Sequence, residues 1–314
     1  MESYFHRRKP GKNASLEQPI MSTNDIAVSD PAENSGETKV KDQKEKVRRF
    51  RKRLQGRETF ILPEVWDVVS ARVMADAGFD SIGISSVSVA WAAGLRKQER
   101  LPVETLVDVA RKIARNFDVP LNADLEGIVG RSLEEIGHAV EAVVSAGCVG
   151  LVIGDGGRGG AHGIASIKDM SAAIGAAKAA ALETRIPAVI TARTEAFLLE
   201  PPQHSPFETA VERAEAYFAA GADCISVPGV QHTQIIERLS AQIDGPLSVT
   251  IGLTPAPDLK ALANAGAACV ALGSALMRSL LGLLRFKAEE LLAFGQFNNL
   301  DKAIPEDALN DLLR

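Results

Sequence analysis

From Glu58 onward the chain alternates between two hydrophobic patterns. Short apolar runs rich in β-formers are each followed by a longer stretch with apolar residues every three or four positions. The short runs are 59–62, 81–85, 120–124, 150–153, 188–193, 224–227, 247–251 and 269–272. Helical periods fill the gaps, among them 103–117, 133–146, 209–220 and 258–265. Several helices run into an Ala-Gly pair just before the next strand: Ala77-Gly78, Ala146-Gly147, Ala220-Gly221 and Ala265-Gly266. Glycine there is the usual helix stop. Eight strand-then-helix units predict an α/β fold, a parallel (β/α)8 TIM barrel. An open doubly wound sheet is the alternative, but its G-x-G-x-x-G signature after the first strand is absent. Residues 276–297 form a further helical stretch, followed by a tail to Arg314. This long C-terminal helical extension exceeds what one barrel unit needs and predicts a homo-oligomer, a dimer or tetramer.

The barrel domain is expected over 45–314. Residues 1–44 show no apolar period and are rich in Ser, Asn, Glu and Lys, so they read as a disordered N-terminal tail. The stretch Lys46 to Leu54 is strongly basic. A short amphipathic helix, with Val47, Phe50 and Leu54 facing inward, explains it better than a nucleic-acid patch, because no second basic cluster supports a binding face.

Composition narrows the function classes. The 314 residues are 46% hydrophobic and 24% charged, with a net charge of −5. That is ample for a large core and gives no polyanion-binding character. No apolar run reaches the length of a membrane helix. Three cysteines without paired spacing argue against a disulfide framework or a zinc site and for a reducing, cytoplasmic setting. Cys148, Cys224 and Cys269 begin or precede strands and are expected in the core.

In such a barrel, chemistry sits at the C-terminal ends of the strands. Polar groups gather there on four successive strands. Ser85 and Ser86 end one, and Asn122, Asp124 and Glu126 the next. Asp155 follows the third, and Arg193 and Glu195 close the fourth. Asp124, Glu126 and Asp155 converge on one mouth opposite Arg193. Hard oxygen ligands of this kind suit Mg²⁺, with Asp124 and Asp155 as metal residues. Ion pairs capping strand ends are the plain alternative. The glycine-rich run Gly154 to Gly163 follows the third of these strands and lacks the Lys-Ser/Thr ending of a nucleotide loop. It reads as a lid beside the charged cluster, with a backbone anion nest or a simple connector as the other readings. His162 lies in it as a candidate acid or base. His204 sits in a proline-rich loop facing the same mouth, whereas His138 and His232 belong to helices.

Five stretches then resemble the isocitrate lyase/phosphoenolpyruvate mutase superfamily, in order and over residues 45–285. They are Pro63-Glu64-Val65-Trp66-Asp67 with Ala77-Gly78-Phe79-Asp80-Ser81-Ile82, Asp124-Leu125-Glu126-Gly127, and Thr191-Ala192-Arg193-Thr194-Glu195-Ala196 followed by Gly221-Ala222-Asp223. The resemblance implies an α/β barrel with Mg²⁺ that acts on 2-oxo or 2-hydroxy acids through an enolate. It also implies subunits that exchange the last barrel helix. In it Ser85 helps hold the substrate carboxylate, Asp124 is a metal-site aspartate, Arg193 contacts the oxyanion, and the loop after Gly154 is the gating loop. Beside these, Ser86 and Asn122 are expected to bind substrate with Ser85, and His162 to move a proton when the loop closes.

The departures from that pattern are specific. Lys97 stands where an aspartate is usual. Asn122 replaces a carboxylate, and Gly154-Asp155 replaces a Glu-Asp pair. Arg158 to His162 lacks the cysteine of the lyases' loop. Either metal binding is weaker, or the substrate carries more negative charge and meets Lys97 or Arg158 directly. The expected activity is a lyase cleaving or decarboxylating a 2-oxo or 2-hydroxy di- or tricarboxylic acid. Phosphonomutase-like P–C chemistry and a non-catalytic binding barrel are the alternatives.

Overall fold

The structure, a computed structural model, describes residues 31–96, 99–156, 163–199, 205–252, 256–297, 300 and 303–313. Nine parallel strand segments close on themselves: β1 (Phe60–Leu62), β2 (Glu64–Val65), β3 (Ile82–Ile84), β4 (Leu121–Asp124), β5 (Gly150–Gly154), β6 (Val189–Arg193), β7 (Cys224–Pro228), β8 (Leu247–Thr250) and β9 (Cys269–Ala271). The nine segments are eight barrel strands, because β1 and β2 are halves of one strand broken at Pro63. The first half pairs with β9 (Phe60↔Cys269, Leu62↔Ala271) and the second with β3 (Glu64↔Gly83). Proline has no N–H for a ladder. Its carbonyl still accepts from Gly83 N at 2.8 Å, so the break closes the ring without leaving that oxygen unpaired. The expected (β/α)8 barrel is therefore present.

The helices are α2 (Val68–Asp76), α3 (Ser86–Ala92), α4 (Val103–Asn116), α5 (Leu133–Ser145), α6 (Ile167–Glu183), α7 (Ala196–Leu199), α8 (Pro206–Ala219), α9 (Thr233–Gln242), α10 (Leu259–Asn264) and α11 (Ala275–Phe294), of which α4, α5, α8, α10 and α11 occupy the stretches whose apolar period predicts a helix. The Ala-Gly stops work as expected: Gly78, Gly147, Gly221 and Gly266 all take φ between 88 and 114°, which costs a residue without Cβ little. Starts are capped too. Ser132 and Glu135 form a reciprocal capping box at α5.

A helix that precedes the barrel, α1 (Pro31–Leu54), plugs its N-terminal end. Val47, Phe50 and Leu54 are buried, and Phe50 meets Phe60 edge-on at 6.3 Å. The basic residues between them face the helix-to-strand loops. Lys46 pairs with Asp118 at 3.0 Å, Arg51 with Asp223 at 3.5 Å and Arg53 with Asp80 at 3.6 Å. The amphipathic reading of this segment thus accounts for its charge. The expected tail boundary at residue 44 falls inside the helix, which starts at Pro31. Lys, Glu and Gln extend a docked helix without supplying an apolar stripe. Gln43 fastens it further by donating to the Val144 and Cys148 carbonyls at 2.8 and 2.9 Å. Residues 1–30 lie outside the described residues.

At the other end of the chain, α11 is long and barely covered. Met277 is its buried residue, while Leu280, Leu283, Leu284 and Phe286 stand at least half exposed. A last helix, α12 (Glu306–Leu312), lies against α2. Among the described residues, no helix is long and apolar enough to cross a membrane.

Candidate active site

The barrel interior opens at the C-terminal ends of its strands into a cavity. Strand alternation decides what enters it, since residues two apart share a face. Inward positions carry Asn122 and Asp124 on β4, Thr191 and Arg193 on β6, and Ser226 and Ser248 on β7 and β8. Glu64, Ser85, Glu126 and Glu195 also line it.

Arg193 is the centre of the polar cluster. Its Nη1 donates to Asp124 Oδ2 at 2.9 Å and its Nε to Glu195 Oε1 at 2.8 Å. Burial works against its charge, but Asp124, Glu195 and Glu126 outweigh that and push its pKa further up. Ser86 Oγ donates within reach of both Asp124 Oδ2 (3.0 Å) and Glu126 Oε2 (3.2 Å). Ser85 caps α3: its Oγ accepts from Ser88 N at 3.2 Å, and its hydroxyl proton is left to donate toward the cavity.

Two oxygens of β4 stand out. Asp124 Oδ1 and Asn122 Oδ1 are buried and have no hydrogen-bond partner. Buried acceptors without donors are costly, so each is open to an electropositive partner.

Glu64 is a site residue to which the sequence pattern assigned no role. It sits immediately after the Pro63 break, inward on β2, and one oxygen accepts from Gly273 N. Gly83 makes room for it, as a Cβ there would lie 2.5 Å from Glu64 Cγ. Burial, then the charge of Asp124, raises its pKa to about 7. The signal was present: an acidic residue on the same strand face as an inward Leu62 must also face the barrel axis.

Asp155 is placed differently from its expected metal role. It is fully buried and outside the cavity lining. Its Oδ1 accepts from Glu195 N at 2.8 Å, and its Oδ2 from Tyr217 OH at 2.7 Å and Arg213 Nη1 at 3.0 Å. Both oxygens are thus committed to protein donors. Strand alternation explains this: Gly154 faces the barrel axis, so Asp155 faces α8. Burial, reinforced by Asp155, pushes the Tyr217 hydroxyl's pKa far up, so it stays a donor. His162, the Gly157–His162 part of the expected lid, Lys97, Arg158 and His204 lie outside the described residues.

The donor set tests the fit of a metal. Among the described residues, no group of three His, Cys, Asp or Glu is preassembled around one point. The unpaired atoms are oxygens, on one carboxylate and one amide. The nearby thiols are unsuited, since burial pushes Cys269 up to about 12 and Cys224 also up. A hard cation that keeps most of its water and needs only one or two carboxylates matches this set, and Mg²⁺ is such a cation.

Comparison with known proteins agrees with the barrel. The phosphoenolpyruvate phosphomutase family pattern matches residues 50–292. An oxaloacetate decarboxylase of Chromohalobacter salexigens is 35% identical over 232 residues, 72% of this chain and 78% of that protein. A Burkholderia cenocepacia protein described as a lyase/mutase superposes with a TM-score of 0.80 at 27% identity, covering 86% of this chain and 96% of its own. A phosphonopyruvate hydrolase solved with oxalate and Mg²⁺ shares the fold at a TM-score of 0.73 and 22% identity, over 85% of this chain and 94% of that one. The chain belongs to the phosphoenolpyruvate phosphomutase family, within the isocitrate lyase/phosphoenolpyruvate mutase superfamily.

Proposed function

We propose that the protein decarboxylates a 2-oxo dicarboxylic acid of the oxaloacetate kind. It is a carbon–carbon lyase of its superfamily, and the decarboxylase relative supports the finer reading. The observation that carries it is the buried Arg193, held between Asp124 and Glu195 at the barrel mouth.

In this reading Ser85, Ser86 and Asn122 bind the carboxylate beside the 2-oxo group. The C3–C4 bond breaks, CO₂ leaves, and the electron pair moves to the 2-oxo oxygen. Guanidinium N–H groups of Arg193 not used by Asp124 or Glu195 face that developing oxyanion. Preorganised donors of this kind act on the transition state more than on the ground state. A proton then reaches C3, a step assigned from the sequence to His162.

Charge balance supports a divalent cation. Among the described residues, the cavity is lined by four carboxyl groups (Glu64, Asp124, Glu126, Glu195) and one guanidinium (Arg193). A dianionic substrate would add to that negative excess. Mg²⁺, when bound, supplies two positive charges and polarises the 2-oxo carbonyl. Asp124 Oδ1 and Asn122 Oδ1 would hold it, directly or through water.

A time course of oxaloacetate loss tests the function. The protein with Mg²⁺ is expected to exceed the spontaneous rate, and Arg193→Ala to fall back to it within about tenfold. Equal rates for the two proteins would remove the assignment.

A further inference from the structure

Gly154, Asp155 and Gly156 run alongside Arg193, Thr194 and Glu195, with Gly154 in register with Arg193. Each glycine faces one of the two charged side chains. A Cβ on Gly154 would lie 2.8 Å from Arg193 Nη2, 3.0 Å from its Nε and 3.1 Å from its Cζ. A Cβ on Gly156 would lie 2.8 Å from Glu195 Cγ. The guanidinium and the carboxylate stem therefore occupy the volume that side chains on this strand would fill.

Between the glycines, Asp155 uses every polar atom it has. Its N–H donates to Arg193 O at 2.9 Å, and its carbonyl accepts from Ala165 N at 2.7 Å. Its carboxylate receives Glu195 N, Tyr217 OH and Arg213 Nη1, and Arg213 Nη1 also reaches Ala165 O at 2.8 Å. The Glu195 backbone is thus pinned at the point from which its side chain orients Arg193 Nε.

We infer that Gly154-Asp155-Gly156 is a mould that fixes the Arg193–Glu195 pair, making Gly154 and Asp155 positioning residues for the oxyanion-binding arginine. Their catalytic meaning rests on the function proposed above. Their geometric meaning does not. Alanine at 154 must displace the guanidinium from Glu195. Loss of the Asp155 carboxylate must free the Glu195 backbone and leave Arg213 buried without its anion.

The test reads Arg193 itself. In protein labelled with ¹⁵N-arginine, the Arg193 Nε–H resonance is assigned by its disappearance in Arg193→Lys. Bonded to a buried carboxylate, it is expected to exchange slowly with water. In Gly154→Ala, and in Asp155→Ala if that variant folds, exchange should speed up by about tenfold or more while the far-ultraviolet circular dichroism is unchanged. A double-mutant cycle on oxalate affinity adds the functional arm. Gly154→Ala should weaken binding by about tenfold alone and by less than about twofold in the Arg193→Lys background. A protected Arg193 Nε–H in Gly154→Ala overturns the inference, as does an undiminished effect of that substitution in the Arg193→Lys background. Absence of oxaloacetate turnover in the unmodified protein would remove the function proposed above and leave the exchange result standing.

Discussion

At the residue scale, the site is a contest between burial and charge, and Glu64 shows which wins. Its carboxyl ionises in the folded protein near pH 7 instead of 4.5, because burial and Asp124 penalise the charge more than Gly273 and Arg193 relieve it. The proton is therefore bound more tightly in the folded state. The stability this provides is complete below about pH 4.5 and is lost as pH rises through about 7. A shift of this size is worth about 3 kcal/mol. Glu64→Gln keeps the acceptor for Gly273 N and removes the ionisation. Measured in chelator, the two proteins should unfold alike at pH 4.5, and the variant should be the more stable at pH 8. Equal stability at pH 8 would show that the charge is not penalised. Asp124 is a different case. Asp124→Asn should cost more than about tenfold in Mg²⁺ affinity, read by calorimetry, because among the described residues Asp124 is the cavity carboxylate with a buried, unpaired oxygen, which we propose faces the cation. The same replacement leaves Arg193 with Glu195 alone, so oxalate affinity should drop as well.

At the element scale, the eight strand-then-helix units were legible because each shows an apolar run followed by a 3.6 period, and several add a glycine stop. Arg193, Asp124, Ser85 and Ser86 were legible as strand-end residues for the same reason. What local pattern did not reveal was the face each residue takes at an irregular point. Asp155 read as part of the mouth because it follows an inward strand end, yet alternation past Gly154 turns it toward Arg213 and Tyr217. Glu64 was passed over because the apolar run reads as ending at Leu62, and Pro63 separates it from the inward position that continues the strand. The first fourteen residues of α1, 31–44, read as tail because their helix is held by the docking of later turns and by Gln43. That docking is testable. Phe50 is 1% exposed against Phe60 and Gly150. Phe50→Ala should cost about 3–5 kcal/mol in urea unfolding. Lys46→Ala, whose partner Asp118 is exposed, should cost less than about 1 kcal/mol. Similar losses for both would mean that the helix is held by its charges and not by its apolar stripe.

At the scale of the whole molecule, the barrel is closed at its N-terminal end by α1 and open at the mouth, and its last helix is left with an uncovered face. Leu280, Leu283, Leu284 and Phe286 on α11 form an apolar surface of a kind that monomers rarely leave in water. We propose that a second copy covers it, by the helix exchange that the family resemblance implies. Light scattering should then give a mass of at least twice 33.4 kDa, and Leu284→Glu with Phe286→Glu should reduce it toward that of one chain. A monomeric unmodified protein at micromolar concentration would contradict the proposal.

We propose that this mouth, with Asn122 and Gly154 where the family pattern carries carboxylates, still binds a 2-oxo acid's enolate. Oxalate mimics that enolate, so the most direct measurement is a calorimetric titration with oxalate, with and without Mg²⁺, on the unmodified protein and on Arg193→Ala. Oxalate should bind at least about tenfold more tightly with Mg²⁺, and its binding should be lost in Arg193→Ala. No binding under either condition, or binding indifferent to Arg193, would contradict the proposal.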